Sequence, residues 1–154
     1  MIAVHLNRVD EWEELLGLED TLHAAAIIAL ESTDHPPEGE ISITFVGDDE
    51  IRGLNRQYLG RDRATDVIAF ELGDEGRLLG DVYISPEAAL RSAADERIAP
   101  ATELVRLVVH GTLHTLGHDH PESADRWRSP MFELQESLVR RISVEDPTPS
   151  EDAE

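Results

Sequence analysis

The stretch VHGTLHTLGHDH, residues 109–120, contains four histidines and one aspartate, and each of these five side chains can bind a metal ion. His110 and His114 are four positions apart, so on an α-helix they share one face with Cβ atoms about 5–6 Å apart. Gly117 stands where such a helix would end, because glycine easily adopts the left-handed conformation that reverses the chain. The reversal would bring His120 back toward the first two histidines. The spacing therefore predicts a site in which three imidazoles hold one metal ion.

The spacing H-x3-H-x2-G-x2-H is the ligand frame of the metzincin proteases, in which a glutamate after the first histidine acts as general base. Here that position is Gly111. Three neutral histidines leave a fourth coordination position for water, and zinc held in this way lowers the pKa of that water to about 7. The other interpretation, hydrogen-bonded core histidines, would bury imidazoles at a desolvation cost that bound metal removes. We therefore predict a catalytic metal site that lacks the base of a protease.

Two further residues of the stretch keep more than one interpretation. His118 is an alternative ligand, a hydrogen-bonding partner of a ligand or a residue that faces solvent, because the three-histidine frame is complete without it. Asp119 either accepts a hydrogen bond from an imidazole N–H or is a turn carboxylate without a role in the site.

Length and composition place the chain in a broad class. Its 154 residues are expected to form one domain over residues 1–144, followed by a disordered acidic tail at residues 145–154 that has almost no apolar side chains. There are no cysteines, so disulfides and thiolate metal sites are excluded. We find no signal-peptide pattern and no apolar run near the roughly 20 residues that span a bilayer, so we expect a cytoplasmic protein without membrane contact.

The charge of the chain is strongly negative. The formal net charge is -20, and all 13 basic residues are arginines. An acidic surface that avoids lysine is typical of proteins adapted to high salt, where screening weakens self-repulsion. Because such a surface repels polyanions, any nucleic-acid site has to be local.

A locally basic segment lies between residues 52 and 63. It has a single acid, Asp62, against four arginines: Arg52, Arg56, Arg61 and Arg63. The guanidinium fork suits phosphate oxygens, although ion pairing with neighbouring acids would explain the same pattern. Tyr58 in this segment either stacks on a base or packs in the core, and we favour the core.

Periodicity and capping signals outline the elements. Alternation of apolar and polar residues predicts four strands, near residues 2–6, 41–45, 66–72 and 78–85. Helical spacing predicts five helices, near residues 10–32, 50–58, 86–98, 101–116 and 130–142. We expect Asp10 to cap the first helix, Gly17 to be the point where it could be interrupted, and residues 35–39 to form a loop. Ser85-Pro86 and Ser129-Pro130 are strong helix starts, and the fourth helix is apolar nearly all round, so it belongs in the core.

Several motifs resemble those of the YbeY family of bacterial metal-dependent endoribonucleases. Residues 110–120, HGTLHTLGHDH, match its signature H-G-x-L-H-x-x-G-[YH]-D-H. Residues 54–70 resemble the segment that ends in T-[ND]-V-L-S-F, residues 79–85 the strand L-G-D-I-x-I-S, and residues 131–136 the helix M-F-x-L-Q-E. The resemblance extends over about residues 40–140.

The resemblance implies an α+β, zincin-like fold, in which a small mixed four-stranded sheet and about five helices surround a central histidine helix. It implies one Zn²⁺ per chain, held by His110, His114 and His120. It also implies single-strand-specific cleavage of RNA in the maturation and quality control of small-subunit ribosomal RNA, with ribosomal RNA and the small ribosomal subunit as partners. It does not predict the oligomeric state.

One position departs from the family pattern. The family usually has an arginine directly after the aromatic residue of its N-x-x-[YF]-R segment, and here that position is Leu59. Either Arg61 or Arg56 substitutes for it, or the activity is weakened.

The expected mechanism is metal-assisted phosphodiester hydrolysis, in which Arg61, with Arg56 or Arg63, neutralises the charge that develops on the phosphate. No general base stands out. Asp66 and Asp81 are candidates because the family pattern places them on strands near the site. Two rival hypotheses remain: a hydrolase of another substrate on the same metal frame, and a non-catalytic ribosome-assembly factor with a structural metal.

Overall fold

Four strands and five α-helices make up the part of the chain that the computed structural model describes, residues 2–33, 38–60, 65–73, 77–117 and 129–142. The strands are β1 Ile2–Asn7, β2 Glu38–Phe45, β3 Val67–Glu71 and β4 Arg77–Ile84. The helices are α1 Glu19–Leu30, α2 Asp48–Leu59, α3 Pro86–Glu96, α4 Pro100–Thr115 and α5 Pro130–Arg141. The predicted α+β class is confirmed.

The strands form one mixed sheet in the order β1-β2-β4-β3. β1 pairs with β2 and β2 pairs with β4 in parallel, whereas β3 pairs with β4 antiparallel. Because side chains alternate along a strand, the sheet has two distinct faces. The face with Ile43 and Val82, here called the main-core face, packs into the large core. The face with Ile68 and Tyr83, here called the α2 face, packs against Ile51 of α2.

α4 is the central helix. It packs against β3 and β4 on the main-core face and against α1, α3 and α5 on its other sides, and most of its residues are buried. Two glycines allow this close packing: a Cβ at Gly111 would lie 2.6 Å from Cγ1 of Val82, and one at Gly80 would lie 3.0 Å from Cβ of Thr115. The predicted core position of the histidine helix is confirmed.

The helix predicted over residues 10–32 is wrong in its first part, whereas the interruption predicted at Gly17 is confirmed. The chain instead forms two 3-10 turns, Val9–Glu11 and Glu13–Leu15, before α1 begins. Trp12 lies between them in an extended conformation and donates a hydrogen bond from Nε1 to the carbonyl oxygen of Phe45, at 3.3 Å. Gly17 follows with φ +78°, which ends any helical path from Asp10. Tertiary packing of Trp12 therefore overrides the local helical periodicity.

Other boundaries differ less. Glu38 and Gly39, predicted in a loop, begin β2. Ser85 and Ser129 cap α3 and α5 as predicted, each accepting a hydrogen bond at 3.1 Å from the backbone N–H three residues later. The predicted tail lies outside the described residues. Within the described residues, no helix has the length and apolarity to cross a bilayer.

Candidate metal centre

His110 and His114 lie side by side on α4. Their ring centroids are 4.6 Å apart and their planes are inclined by 72°. Both residues are only partly buried, unlike their neighbours on the helix. α4 ends at Thr115, and Gly117 has φ +96° and donates its backbone N–H to the carbonyl oxygen of His114, at 3.0 Å. The chain therefore leaves the helix in the left-handed turn that the sequence predicts.

The third predicted ligand, His120, lies outside the described residues, as do His118 and Asp119. In the ranges that the structure describes, no three metal-binding side chains come together. The structure therefore places two of the three predicted ligands, and the complete ligand set stays a prediction.

Gln135 of α5 contacts the first histidine. Its Oε1 lies 2.6 Å from Nδ1 of His110, and its Nε2 donates a hydrogen bond to Oε2 of Glu136, at 2.9 Å. The side chain of Gln135 is buried, with 5% of its surface exposed. This residue was not predicted from the sequence. The available signal was a glutamine between the apolar positions of α5, inside a matched motif.

An ion-pair network continues from Gln135 back to α4. Arg106 donates two hydrogen bonds to the carboxylate of Glu136, at 2.9 and 3.0 Å, and one to Glu103, at 2.8 Å. Burial raises the pKa of Glu136, but hydrogen bonds from Arg106 and Gln135 outweigh it, so the pKa lies below its ordinary value. Burial raises the pKa of Glu103, and the hydrogen bond from Arg106 offsets this only in part. Glu136 is therefore the carboxylate that this network stabilises in its charged form.

Gly111 stands where the metzincin proteases have their general base, and it packs against the sheet. Residue 111 faces the sheet, because a Cβ there would contact Cγ1 of Val82 at 2.6 Å and Cγ2 of Val67 at 3.4 Å. A larger side chain at this position would clash with Val82. The close packing of α4 on β4 therefore explains why residue 111 is a glycine.

The two candidate bases lie in different places. Asp66 precedes β3, where its backbone oxygen accepts a hydrogen bond from the N–H of Ser85, and its charge contributes to the raised pKa of Glu103 in the first turn of α4. Glu103 is seven residues before His110, or roughly 10 Å along the helix. Asp81 lies on the α2 face and accepts a hydrogen bond from the hydroxyl of Tyr83, at 2.9 Å. Burial and this carboxylate raise the pKa of Tyr83 to about 12. The sheet therefore separates Asp81 from the histidine helix.

The basic segment begins on the α2 face. Arg56 is exposed in the last turn of α2, whereas Arg61 and Arg63 lie outside the described residues. Tyr58 packs edge-on against Phe70, with ring centroids 5.6 Å apart, but 58% of its surface is exposed. The favoured core position of Tyr58 is therefore wrong, since α2 covers only part of this face. Leu59, which replaces the family arginine, is also exposed, at 49%.

Comparisons with known proteins support one family. The family model described as Endoribonuclease YbeY matches residues 8–143. The chain is 49% identical over 118 residues to the Endoribonuclease YbeY of Anaeromyxobacter sp.. The aligned region covers 75% of this chain and 59% of that protein. It is 35% identical over 150 residues to the protein of the same name from Desulforamulus reducens, with 88% of this chain and 96% of that protein covered.

A solved structure supports the fold. The solution structure of TM1509 from Thermotoga maritima matches with a TM-score of 0.59 and 29% sequence identity, over 92% of this chain and 89% of that one.

Proposed function

The chain belongs to the endoribonuclease YbeY family, and we propose that it is a zinc-dependent, single-strand-specific endoribonuclease that matures and checks small-subunit ribosomal RNA in the cytoplasm. The predicted family and its enzyme class, a metal-dependent nuclease that hydrolyses RNA, are confirmed. The zinc ion, the single-strand preference and the small ribosomal subunit as partner are the proposal. The family match over residues 8–143 supports one catalytic domain over residues 1–144.

The observation that carries the proposal is the histidine pair on α4. The rings of His110 and His114 lie 4.6 Å apart on a helix that is buried on its other sides, and Gln135 contacts Nδ1 of His110. Imidazole ligands without thiolates suit zinc among the common divalent ions, and the chain contains no cysteine. We propose His120 as the third ligand, since the left-handed φ of Gly117, +96°, ends the helix three residues before it.

The roles of the protein's own groups follow from this placement. His110, His114 and His120 hold the ion, which supplies Lewis-acid activation of water and of the scissile phosphate when it is bound. Arg61 is the proposed group that binds phosphate oxygens and neutralises the charge that develops during cleavage, because guanidinium groups match phosphate geometry. Arg56 lies on α2, across the sheet from the histidine helix, so its proposed role is limited to binding RNA phosphates outside the cleavage position. Asp66 remains the candidate for proton transfer.

The largest predicted effect is the loss of the site on truncation of one ligand. We expect His114→Ala to abolish both zinc binding and RNA cleavage, since two ligands cannot hold the ion at ordinary concentrations. The matched control is His23→Ala, an exposed histidine on α1. Metal analysis of purified protein and cleavage of a single-stranded RNA are measured together, at low and high salt because of the charge of -20.

The outcomes separate the hypotheses. Normal zinc content in His114→Ala contradicts the ligand assignment. Bound zinc in the wild type without any RNA cleavage favours the assembly factor with a structural metal, and digestion of casein in place of RNA favours a hydrolase of another substrate. Cleavage of single-stranded RNA that requires zinc and is lost in His110→Ala supports the proposal.

A further inference from the structure

Gln135 connects the first metal ligand to an ion pair, and the donors along this connection can be assigned. Arg106 can only donate hydrogen bonds, and it donates two to the carboxylate of Glu136. The ionised carboxylate of Glu136 can only accept. The atom of Gln135 that faces Glu136 at 2.9 Å must therefore be the amide nitrogen.

The ring nitrogen of His110 that carries the proton follows from the orientation of this amide. Since the amide nitrogen of Gln135 faces Glu136, its carbonyl oxygen faces Nδ1 of His110, at 2.6 Å. A carbonyl oxygen only accepts, so Nδ1 of His110 carries the proton. In a neutral imidazole, the lone pair then lies on Nε2, the nitrogen that would bind a metal ion.

We propose that Gln135 is a positioning residue, which holds the ring of His110 and the tautomer that presents Nε2 to the metal ion. The proposal rests on the proposed function, because it takes His110 as a ligand. A metal-bound histidine usually donates its other N–H to a carboxylate, a backbone carbonyl or water. Here a neutral side-chain amide performs that role, so the partner adds no charge to the site.

The ion pair explains how an amide can serve in this position. A carboxylate accepts through either oxygen, whereas an amide accepts only if it is turned the right way. Glu136 fixes that orientation, and Arg106, one helical turn before His110 on α4, fixes Glu136. α5 therefore contacts α4 at two successive turns. If the ring of His110 rotated, the buried carbonyl of Gln135 would lose its donor, which disfavours rotation.

The test compares two substitutions of similar size in metal-free protein. Gln135→Met keeps the volume but removes the acceptor. Gln135→Glu keeps an acceptor toward His110 but replaces the donor to Glu136 by a second carboxylate, so its stability is measured beside its tautomer. Imidazole ¹⁵N chemical shifts report the tautomer of His110, with His23 as an internal reference, and titration with zinc alone reports affinity. Gln57→Met on α2, an exposed glutamine, is the matched control.

We expect the wild type and Gln135→Glu to carry the proton on Nδ1 of His110, and Gln135→Met to show a mixture of both tautomers. Zinc affinity of Gln135→Met should fall about 10- to 100-fold, while Gln135→Glu stays near the wild type. If the Met variant does not fold, Glu136→Met tests the same step, since it removes both oxygens that orient the amide and should also produce mixed tautomers.

Two results would overturn the proposal. One is an unchanged tautomer in Gln135→Met, which marks a merely structural role even where zinc binds more weakly, and the other is a changed tautomer with unchanged zinc affinity. Failure of the proposed function is a separate result. If His110→Ala binds zinc as tightly as the wild type, His110 is not a ligand, whatever its tautomer.

Discussion

Gly53 and Gly111 each lie inside a helix that packs on the sheet, α2 on one face and α4 on the other. A Cβ added at Gly53 would meet no atom within 4 Å, whereas one at Gly111 would lie 2.6 Å from Cγ1 of Val82. Glycine costs a helix about 0.5–1 kcal/mol relative to alanine. On α4 the glycine allows the helix to pack closely on the sheet, whereas on α2 no contact requires a glycine.

α4 and α2 also differ in how closely the rest of each helix is packed. α4 is surrounded by three helices and two strands, and the ion pair of Arg106 with Glu136 ties it to α5. α2 buries few of its residues and leaves Tyr58 and Leu59 exposed at its end. Two of the three proposed metal ligands, His110 and His114, therefore lie on the tightly packed helix, while the basic segment begins on the more exposed one. Precise ligand geometry requires packing on all sides, whereas phosphate contacts tolerate mobility.

The largest predicted effect on stability comes from removing the ion pair between Arg106 and Glu136, which holds α5 to α4. We expect Glu136→Gln to lower the free energy of unfolding by about 1.5–3 kcal/mol, because hydrogen bonds to charged groups contribute that much. Among the residues that the structure describes, Arg106 would then keep Glu103 as its charged partner. Urea denaturation measures the loss, with Glu133→Gln, on an exposed part of α5, as control. Equal losses in both variants would contradict a special role for this ion pair.

The ion pair between Arg106 and Glu136 also predicts how the free energy of unfolding depends on pH. The folded-state pKa of Glu136 is depressed, so its contribution is present above the ordinary carboxyl pKa and is lost as pH falls through the folded value. The difference in unfolding free energy between wild type and Glu136→Gln should therefore shrink in acid. A difference that grows as pH falls would show that the sign is wrong.

Alanine at Gly111 tests the close packing of α4. Overpacking costs about 1–3 kcal/mol and the gain in helix propensity is about 1 kcal/mol, so we expect a net loss of up to about 2 kcal/mol. Combining it with Val82→Ala should recover part of the loss through a favourable coupling energy, measured in a double-mutant cycle. Strict additivity of the two substitutions would refute a direct contact.

Alanine at Gly53 should have the opposite sign. With open space around the Cβ, Gly53→Ala should stabilise the protein by about 0.5–1 kcal/mol. Thermal unfolding of the two alanine variants side by side checks the comparison. A destabilised Gly53→Ala would mean that α2 is packed as tightly as α4.

The smallest effect on stability is expected at Leu59. Because it is 49% exposed, Leu59→Arg should change the free energy of unfolding by less than about 0.5 kcal/mol. Restoring the arginine that the family usually has here should nevertheless increase RNA cleavage, with a steeper dependence on salt, since one more phosphate contact forms. Leu59→Gln is the uncharged control, and equal activity in the two variants would exclude a phosphate contact.

Much of the fold could be predicted because its signals are local. Alternation along β2 and β4, the caps at Ser85 and Ser129, and the spacing of the histidines each depend on residues within one or two turns. Within the site, one face for His110 and His114 followed from the helical repeat alone.

The errors arose where distant residues compete with local preference. The helix predicted from Asp10 breaks because Trp12 bonds to Phe45, 33 residues away. Asp81 lies on the face opposite α4 because β4 alternates around Val82, and no local pattern says which face the histidine helix will cover.

The sequence by itself determined the α+β class, the family and the central apolar helix, since periodicity, caps and motif spacing are properties of neighbouring residues. The metal site in residues 110–120 stays a prediction from the same spacing. Only the tertiary structure decided that Gly111 packs on Val82 and that Gln135, 25 residues from His110, holds its ring nitrogen. Those contacts depend on how α4 meets β4 and α5. Helix–sheet and helix–helix packing is determined by shape and by burial of polar groups over the whole core, which no short stretch of sequence encodes.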